Sequence, residues 1–245
     1  MTPPTDATSW SVVLGLAAAA GNALGGIFII HSEWARGYVK QILALGAGFM
    51  LGTVALEMIP ESFQLAGRQA GMWLLVGYLL MHFFEHSLQA HFHFGEEVHS
   101  SEMAPHTGYT ILGGLIVHCF FDGIAIAAGF LVSHWLGFTV FLAVFLHKIP
   151  EGFTVASVMM ASGRSVRVAM FSAGMLAVAT LAGVLTMVAL RTTVSYALPV
   201  AAGVTTYVAA SDLIPEVNRE PGIKMAFVVF AGVALLLALE YFFHH

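Results

Sequence analysis

The chain has 245 residues, of which 58% are hydrophobic and only 9% charged, with a mean hydropathy of +0.85. Soluble globular domains run nearer half apolar and a quarter charged, so this composition excludes one and requires lipid as the solvent. The formal net charge of −5 excludes no partner by itself, because most of the acidic residues fall inside or beside apolar segments, and no nucleic-acid partner is expected.

Met1 to Ser9 holds no basic run ahead of the first apolar stretch, so no cleaved signal peptide is expected and the first helix is read as part of the mature protein. Apolar stretches follow at about 9–31, 38–60, 70–94, 107–132, 135–161, 166–190, 194–217 and 222–243. Each is near the ~20 residues that a helix needs to cross hydrocarbon. The expected architecture is an all-α integral membrane protein: eight transmembrane helices in a single transmembrane domain over 1–245. Turn and charge signals mark the connectors, which are Glu33 to Lys40, Ser62 to Arg68, His91 to His106, Ser133-His134, Gly163 to Arg167, Arg191 to Thr193 and Asn218 to Lys224. The one cysteine, Cys119, lies deep in an apolar run, so a disulfide framework within the chain is excluded.

Connectors one, five and seven carry Arg36, Lys40, Arg164, Arg167, Arg219 and Lys224, against only Arg68 and Arg191 in connectors two and six. The positive-inside bias then puts the odd connectors in the cytoplasm and both termini outside it. A shift of 155 positions carries Glu57-Met58-Ile59-Pro60-Glu61 onto Asp212-Leu213-Ile214-Pro215-Glu216, and also Gly48 onto Gly203, Gly77 onto Gly232 and Glu85 onto Glu240. Helices 1–3 and 6–8 therefore read as two copies of one unit in opposite orientations, an inverted repeat of the kind transporters use to reach two states of similar energy. Chance similarity between Ala/Gly-rich helices is the competing explanation.

Helix 4 carries His118-Cys119-Phe120-Phe121-Asp122-Gly123, and helix 5 carries His147-Lys148-Ile149-Pro150-Glu151-Gly152. In each, a histidine and a carboxylate stand at i and i+4, one turn apart on one helix face. Such groups are costly in hydrocarbon, and matched pairs on consecutive helices are expected to face each other. Two imidazoles and two carboxylates form a nitrogen/oxygen donor set that suits zinc and other first-row divalent ions. Pro150 is expected to kink helix 5, and Gly123 and Gly152 permit close helix approach. Alternatively, the two pairs satisfy one another as buried polar contacts that hold the helices together.

These two motifs, with Glu57-Met58-Ile59-Pro60-Glu61 and the eight-helix plan, resemble the ZIP (Zrt/Irt-like) family of metal transporters over essentially the whole chain. The resemblance implies a 3+2+3 helix arrangement, a homodimer, and transport of zinc or a related ion toward the cytoplasm across a plasma or bacterial inner membrane. The metal is then a transported ligand rather than a cofactor. Carried over by position, the site is His118, Asp122, His147 and Glu151, with Met50 where some members contribute a thioether. Some members hold a second metal through an Asn, an acid and a helix-6 carboxylate. Here Cys119 and Lys148 stand at the first two positions, and helix 6 contains no Asp or Glu. A lysine there balances the carboxylates and repels a second cation, so a single-metal site is expected.

In this topology Glu57 and Glu61 form an entrance, and Asp212 and Glu216 the symmetry-related exit. The third connector, with His91, His93, His99 and His106 beside Glu96, Glu97 and Glu102, has a metal-handling composition that is equally that of a solvated linker. His82, Glu85 and His86 lie where they would link the site to that loop. The donor set also accepts cadmium, iron(II) or manganese(II). An intramembrane zinc-dependent hydrolase is the rival reading, although the His-Glu-x-x-His pattern of a metalloprotease is missing, and a passive metal channel would use the same residues.

Overall fold

A computed structural model describes residues 5–28, 32–88 and 107–243, and every regular element among them is helical. In a medium without water each backbone N–H and C=O must be met inside the chain, and a helix does this segment by segment. Eight rods result. They are α1 (Thr5–Phe28), α2 (32–66), α3 (Gln69–Leu88), α4 (Thr107–Val132), α5 (His134–Ala161), α6 (Val166–Ala189), α7 (Arg191–Val217) and α8 (Lys224–Phe243). All but α3 are long and apolar enough to cross a membrane by length and composition, and the last turns of α3 carry His82, Glu85 and His86.

Helix 2 starts at Ser32, so the expected connector Glu33 to Lys40 lies inside it, and two later boundaries also differ from expectation. Helix 2 does not stop at Pro60 but runs on to Ala66, and the helix-4 to helix-5 connector shrinks to Ser133 alone. The run past Pro60 has a backbone cause. Val54–Met58 forms a π-turn in which the Ile59 N–H reaches back five residues to the Val54 carbonyl, and the ring of Pro60 then enters the first turn of Ile59–Ala66, where no N–H is required. The same device recurs in α7: Val208–Leu213 is a π-turn, the Ile214 N–H bonds to the Ala209 carbonyl, and Pro215 follows. At the second boundary the Ser133 hydroxyl caps α5 by accepting from the Leu136 N–H at 3.0 Å. Helix α5 continues through Pro150 as a single helix.

The packing falls into two groups. Helices α1, α4, α5 and α6 pack on one another, while α2 lies against α8 and α3 against α7. The contacts of α2 with α5 and of α4 with α7 join the groups. Glycines set the closest crossings. A Cβ on Gly48 would strike the Val229 carbonyl and one on Gly232 the Leu45 carbonyl, so α2 and α8 touch backbone to backbone. Gly77 and Gly203 do the same for α3 and α7, against the Val200 and Leu74 carbonyls. Gly123 and Gly152 also serve close approach, but to α6 (the Thr180 carbonyl) and α1 (the Asn22 carbonyl) rather than to each other. The outer faces present Phe171, Val178, Phe227, Phe230, Tyr241 and Phe242, as lipid contact requires.

Polar contacts at the rod ends fix which connectors share a side. Lys40 pairs with Glu220, and the Arg164 guanidinium lies over the Tyr109 ring at 4.7 Å. At the other ends, His134 lies 3.8 Å from Asp6, and the Trp135 indole donates to Glu57 Oε1 at 2.9 Å.

Candidate metal centre

Helices α4 and α5 each project one histidine and one carboxylate from a single face, and the two faces meet. His118, Asp122, His147 and Glu151 each offer a ligand atom within 4.8 Å of the others, and all four are buried. The imidazole rings sit edge to face with centroids 5.6 Å apart. This convergence matches the spacing argument from sequence.

The tautomer of His147 is set locally. Its Nδ1–H donates to the Ala143 carbonyl at 2.9 Å, one turn back on α5, so in a neutral ring Nε2 presents its lone pair. That nitrogen lies 3.3 Å from Asp122 Oδ2. Two acceptors facing each other at this distance call for a proton or a cation between or beside them, and Lys148 Nζ lies 2.6 Å from the same oxygen. His118 Nε2 is 3.0 Å from Asp122 Oδ2 and 3.7 Å from Glu151 Oε1, yet is aligned for a hydrogen bond with neither. A buried ring nitrogen without a directed partner, aimed at two carboxylates, is a suitable donor for a divalent ion.

Lys148 is fully buried behind this group. Its Nζ lies 2.6 Å from Asp122 Oδ2, 2.6 Å from Glu151 Oε2 and 3.2 Å from Cys119 Sγ. The Cys119 thiol in turn donates to Glu151 Oε1 at 3.0 Å. The two residues singled out as second-site substitutes thus form a connected polar wall with the carboxylates. Asn22 of α1 completes that wall, and sequence reasoning passed over it. The available signal was a lone amide in an otherwise apolar stretch of a span.

Among the remaining candidates, Met50 lies on a helix that packs beside His147: a Cβ on Gly46, one turn before it, would stand 3.6 Å from the His147 backbone nitrogen. Met50 is fully buried in an apolar cluster with Phe49, Val208 and Ala143, the last one turn before His147. Glu57 and Glu61 are half-buried beside the π-turn of α2, and Glu57 takes the Trp135 indole N–H. Asp212 and Glu216 are buried around the matching π-turn of α7; Glu216 lies 3.4 Å from Arg219, while Glu85 of α3 stands beside Asp212 and Tyr207. His82 and His86 stack at 4.1 Å at the end of α3, with His82 also against the Tyr207 ring. His91, His93, His99 and His106 lie outside the described residues.

Comparison with known proteins agrees with this geometry. The family profile described as ZIP Zinc transporter matches residues 95–240, more than half of the chain. Zinc transporter ZIP13 of Pongo abelii is 24% identical over 242 aligned residues, covering 87% of this chain and 70% of that protein. Zinc transporter ZIP9-B of Xenopus laevis is 25% identical over 197, covering 64% of each. Zinc transporter SLC39A7 of Canis lupus familiaris is 33% identical over 125, covering 46% of this chain and 27% of that protein. The chain therefore spans less than two thirds of the length of several relatives it matches. Family and relatives alike are described as transporters and not as enzymes, which sets the hydrolase reading aside. The chain is a multi-pass membrane protein and belongs to the ZIP zinc transporter family.

Proposed function

We propose that the chain carries zinc across the membrane toward the cytoplasm through one metal site formed by His118, Asp122, His147 and Glu151. The observation that carries this reading is the meeting of four buried donors from two helices, with the His147 lone pair set by Ala143 and His118 Nε2 lacking a directed partner. Cadmium, iron(II) and manganese(II) fit the same donors, and zinc leads on the family. Lys148 supports a single-metal site, since its ammonium already pairs with both carboxylates where a second cation would bind.

Entry is assigned to Glu57 and Glu61 and exit to Asp212 and Glu216. The matching π-turns at Glu57 and Asp212 support this pairing, as do the reciprocal glycine crossings of α2 with α8 and α7 with α3. Exchanging α1 with α6, α2 with α7, α3 with α8 and α4 with α5 leaves the main packing pairs described above unchanged, as an inverted repeat and a 3+2+3 plan would require. The charge bias of the connectors orients both termini outward.

The test is zinc uptake into liposomes by the parent, His147→Ala and Glu151→Ala, with each variant checked for monodispersity by size exclusion. Saturable uptake lost in both folded variants supports the reading. Uptake that survives both changes refutes it. Light scattering on the same samples reads the homodimer implied by the family resemblance.

A further inference from the structure

Asn22 sits in the last two turns of α1 among Ala19, Gly21, Ala23 and Leu24, and it is fully buried. An amide at this depth has two N–H donors and one oxygen acceptor that only protein can satisfy. With Nδ2 turned toward α5, it donates to Glu151 Oε2 at 3.1 Å and to the Lys148 carbonyl at 2.8 Å. The opposite orientation would set Oδ1 against both acceptors and leave Nδ2 with only Cys119 Sγ at 3.6 Å. Helix α1 reaches this depth because Gly152, directly after Glu151, has no Cβ to strike the Asn22 carbonyl, and Gly25 likewise clears the Ile149 carbonyl.

The two oxygens of Glu151 are consequently assigned different work. Oε2 takes Lys148 Nζ at 2.6 Å and the Asn22 amide. Oε1 takes the Cys119 thiol at 3.0 Å and faces His118 Nε2 at 3.7 Å. Lys148 alone does not fix the plane of the carboxylate, because an ammonium on a four-carbon stem is a compact charge that follows its partner. A second donor from a different helix, attached to a short side chain, does fix it.

Resting on the metal-site reading above, we infer that Asn22 is a positioning residue that holds Oε2 toward α1, so that Glu151 offers a bound ion one oxygen rather than two. With Asp122 and two imidazoles the ion is then four-coordinate, the geometry preferred by zinc. Without Asn22 the carboxylate is free to turn and chelate, and the added oxygen suits ions that accept higher coordination, such as manganese(II). Asn22 thereby acts on metal selectivity without touching the metal.

The probe is cobalt(II) bound to the purified full chain, because four-coordinate cobalt absorbs visible light much more strongly than five- or six-coordinate cobalt. The parent is expected to give the strong spectrum. Asn22→Ala and Asn22→Ser are expected to give a weak one, with half-saturation for zinc uptake raised several-fold and manganese(II) uptake raised relative to zinc. The serine variant keeps the test open if the alanine variant fails to fold, since its hydroxyl bonds one turn back, as Ser11 does to the Ala7 carbonyl at 2.7 Å, and is too short to hold Glu151. Parent-like cobalt spectra and zinc half-saturation in the folded variants would overturn the role of Asn22 and leave the metal site standing. A parent cobalt spectrum that His147→Ala and Glu151→Ala do not alter would overturn both.

Discussion

Lys148 Nζ lies 2.6 Å from Asp122 Oδ2, the carboxylate oxygen that also faces His147 Nε2 at 3.3 Å and His118 Nε2 at 3.0 Å. An ammonium therefore stands at the edge of the position a metal would take. With neutral imidazoles, Asp122, Glu151 and Lys148 together leave one net negative charge. A bound divalent ion turns it into one net positive charge. A carrier has to release its ion as well as bind it, and the lysine weakens the bound state by charge repulsion.

Replacing the lysine with an uncharged residue of similar length separates these effects. In Lys148→Met the metal-free protein holds two buried carboxylates without a counter-ion and should melt at a lower temperature than the parent. Zinc should then bind at least ~10-fold more tightly, about 1.4 kcal/mol, and raise the melting temperature by more than it does in the parent. Turnover should fall because release is slowed. Melting curves with and without zinc, together with the maximal uptake rate, check all three. An unchanged zinc affinity would mean that Lys148 swings clear of the ion when it binds.

The hydrogen bond from Trp135 to Glu57 ties the start of α5 to the π-turn of α2. With Glu57 at the proposed entrance, a carboxylate oxygen engaged by an indole would be less available to an incoming cation, so this bond would compete with capture of the metal. A neutral donor to a charged acceptor is worth roughly 1.5–3 kcal/mol, enough to be felt in the entry step. Trp135→Phe should therefore raise uptake at zinc concentrations well below saturation by a few-fold, and Glu57→Gln should lower it. The double variant should behave like Glu57→Gln alone, which a double-mutant cycle on initial rates would reveal. Additive effects would place Trp135 outside the entry step.

Much of this was legible in the sequence because hydrocarbon leaves few options. Apolar runs near twenty residues gave the number of rods, and histidine and carboxylate at i and i+4 gave the faces of α4 and α5 that meet. The end of α2 differs from expectation because the turn and charge signals from Ser62 to Arg68 read as a connector, whereas the helix runs on to Ala66. The extra residue of a π-turn, which lets the helix pass Pro60, has no local signal beyond its recurrence at Pro215. Asn22 was passed over for a different reason. Its partners lie on α4 and α5, and only the fold brings α1 against Gly152. The reciprocal glycine crossings are likewise a tertiary fact, since Gly77 and Gly203 align with Gly232 and Gly48 in sequence but pack on each other in space.

Those glycine crossings predict a sharp contrast among substitutions that look alike in sequence. At Gly203 a Cβ would collide with the Leu74 carbonyl, a backbone atom that cannot move without shifting α3. At Gly174, also inside a helix, a Cβ meets nothing within 4 Å. Gly203→Ala should therefore cost stability on the scale of overpacking, about 1–3 kcal/mol, and lower the yield of monodisperse protein. Gly174→Ala should be neutral or slightly stabilising, because alanine is the better helix former. Thermal melting in detergent ranks the two directly. If inverted symmetry also governs the energetics, Gly48→Ala, which meets the Val229 carbonyl, should match Gly203→Ala closely. A Gly48→Ala protein as stable as the parent would show that the two crossings are alike in shape but not in the work they do.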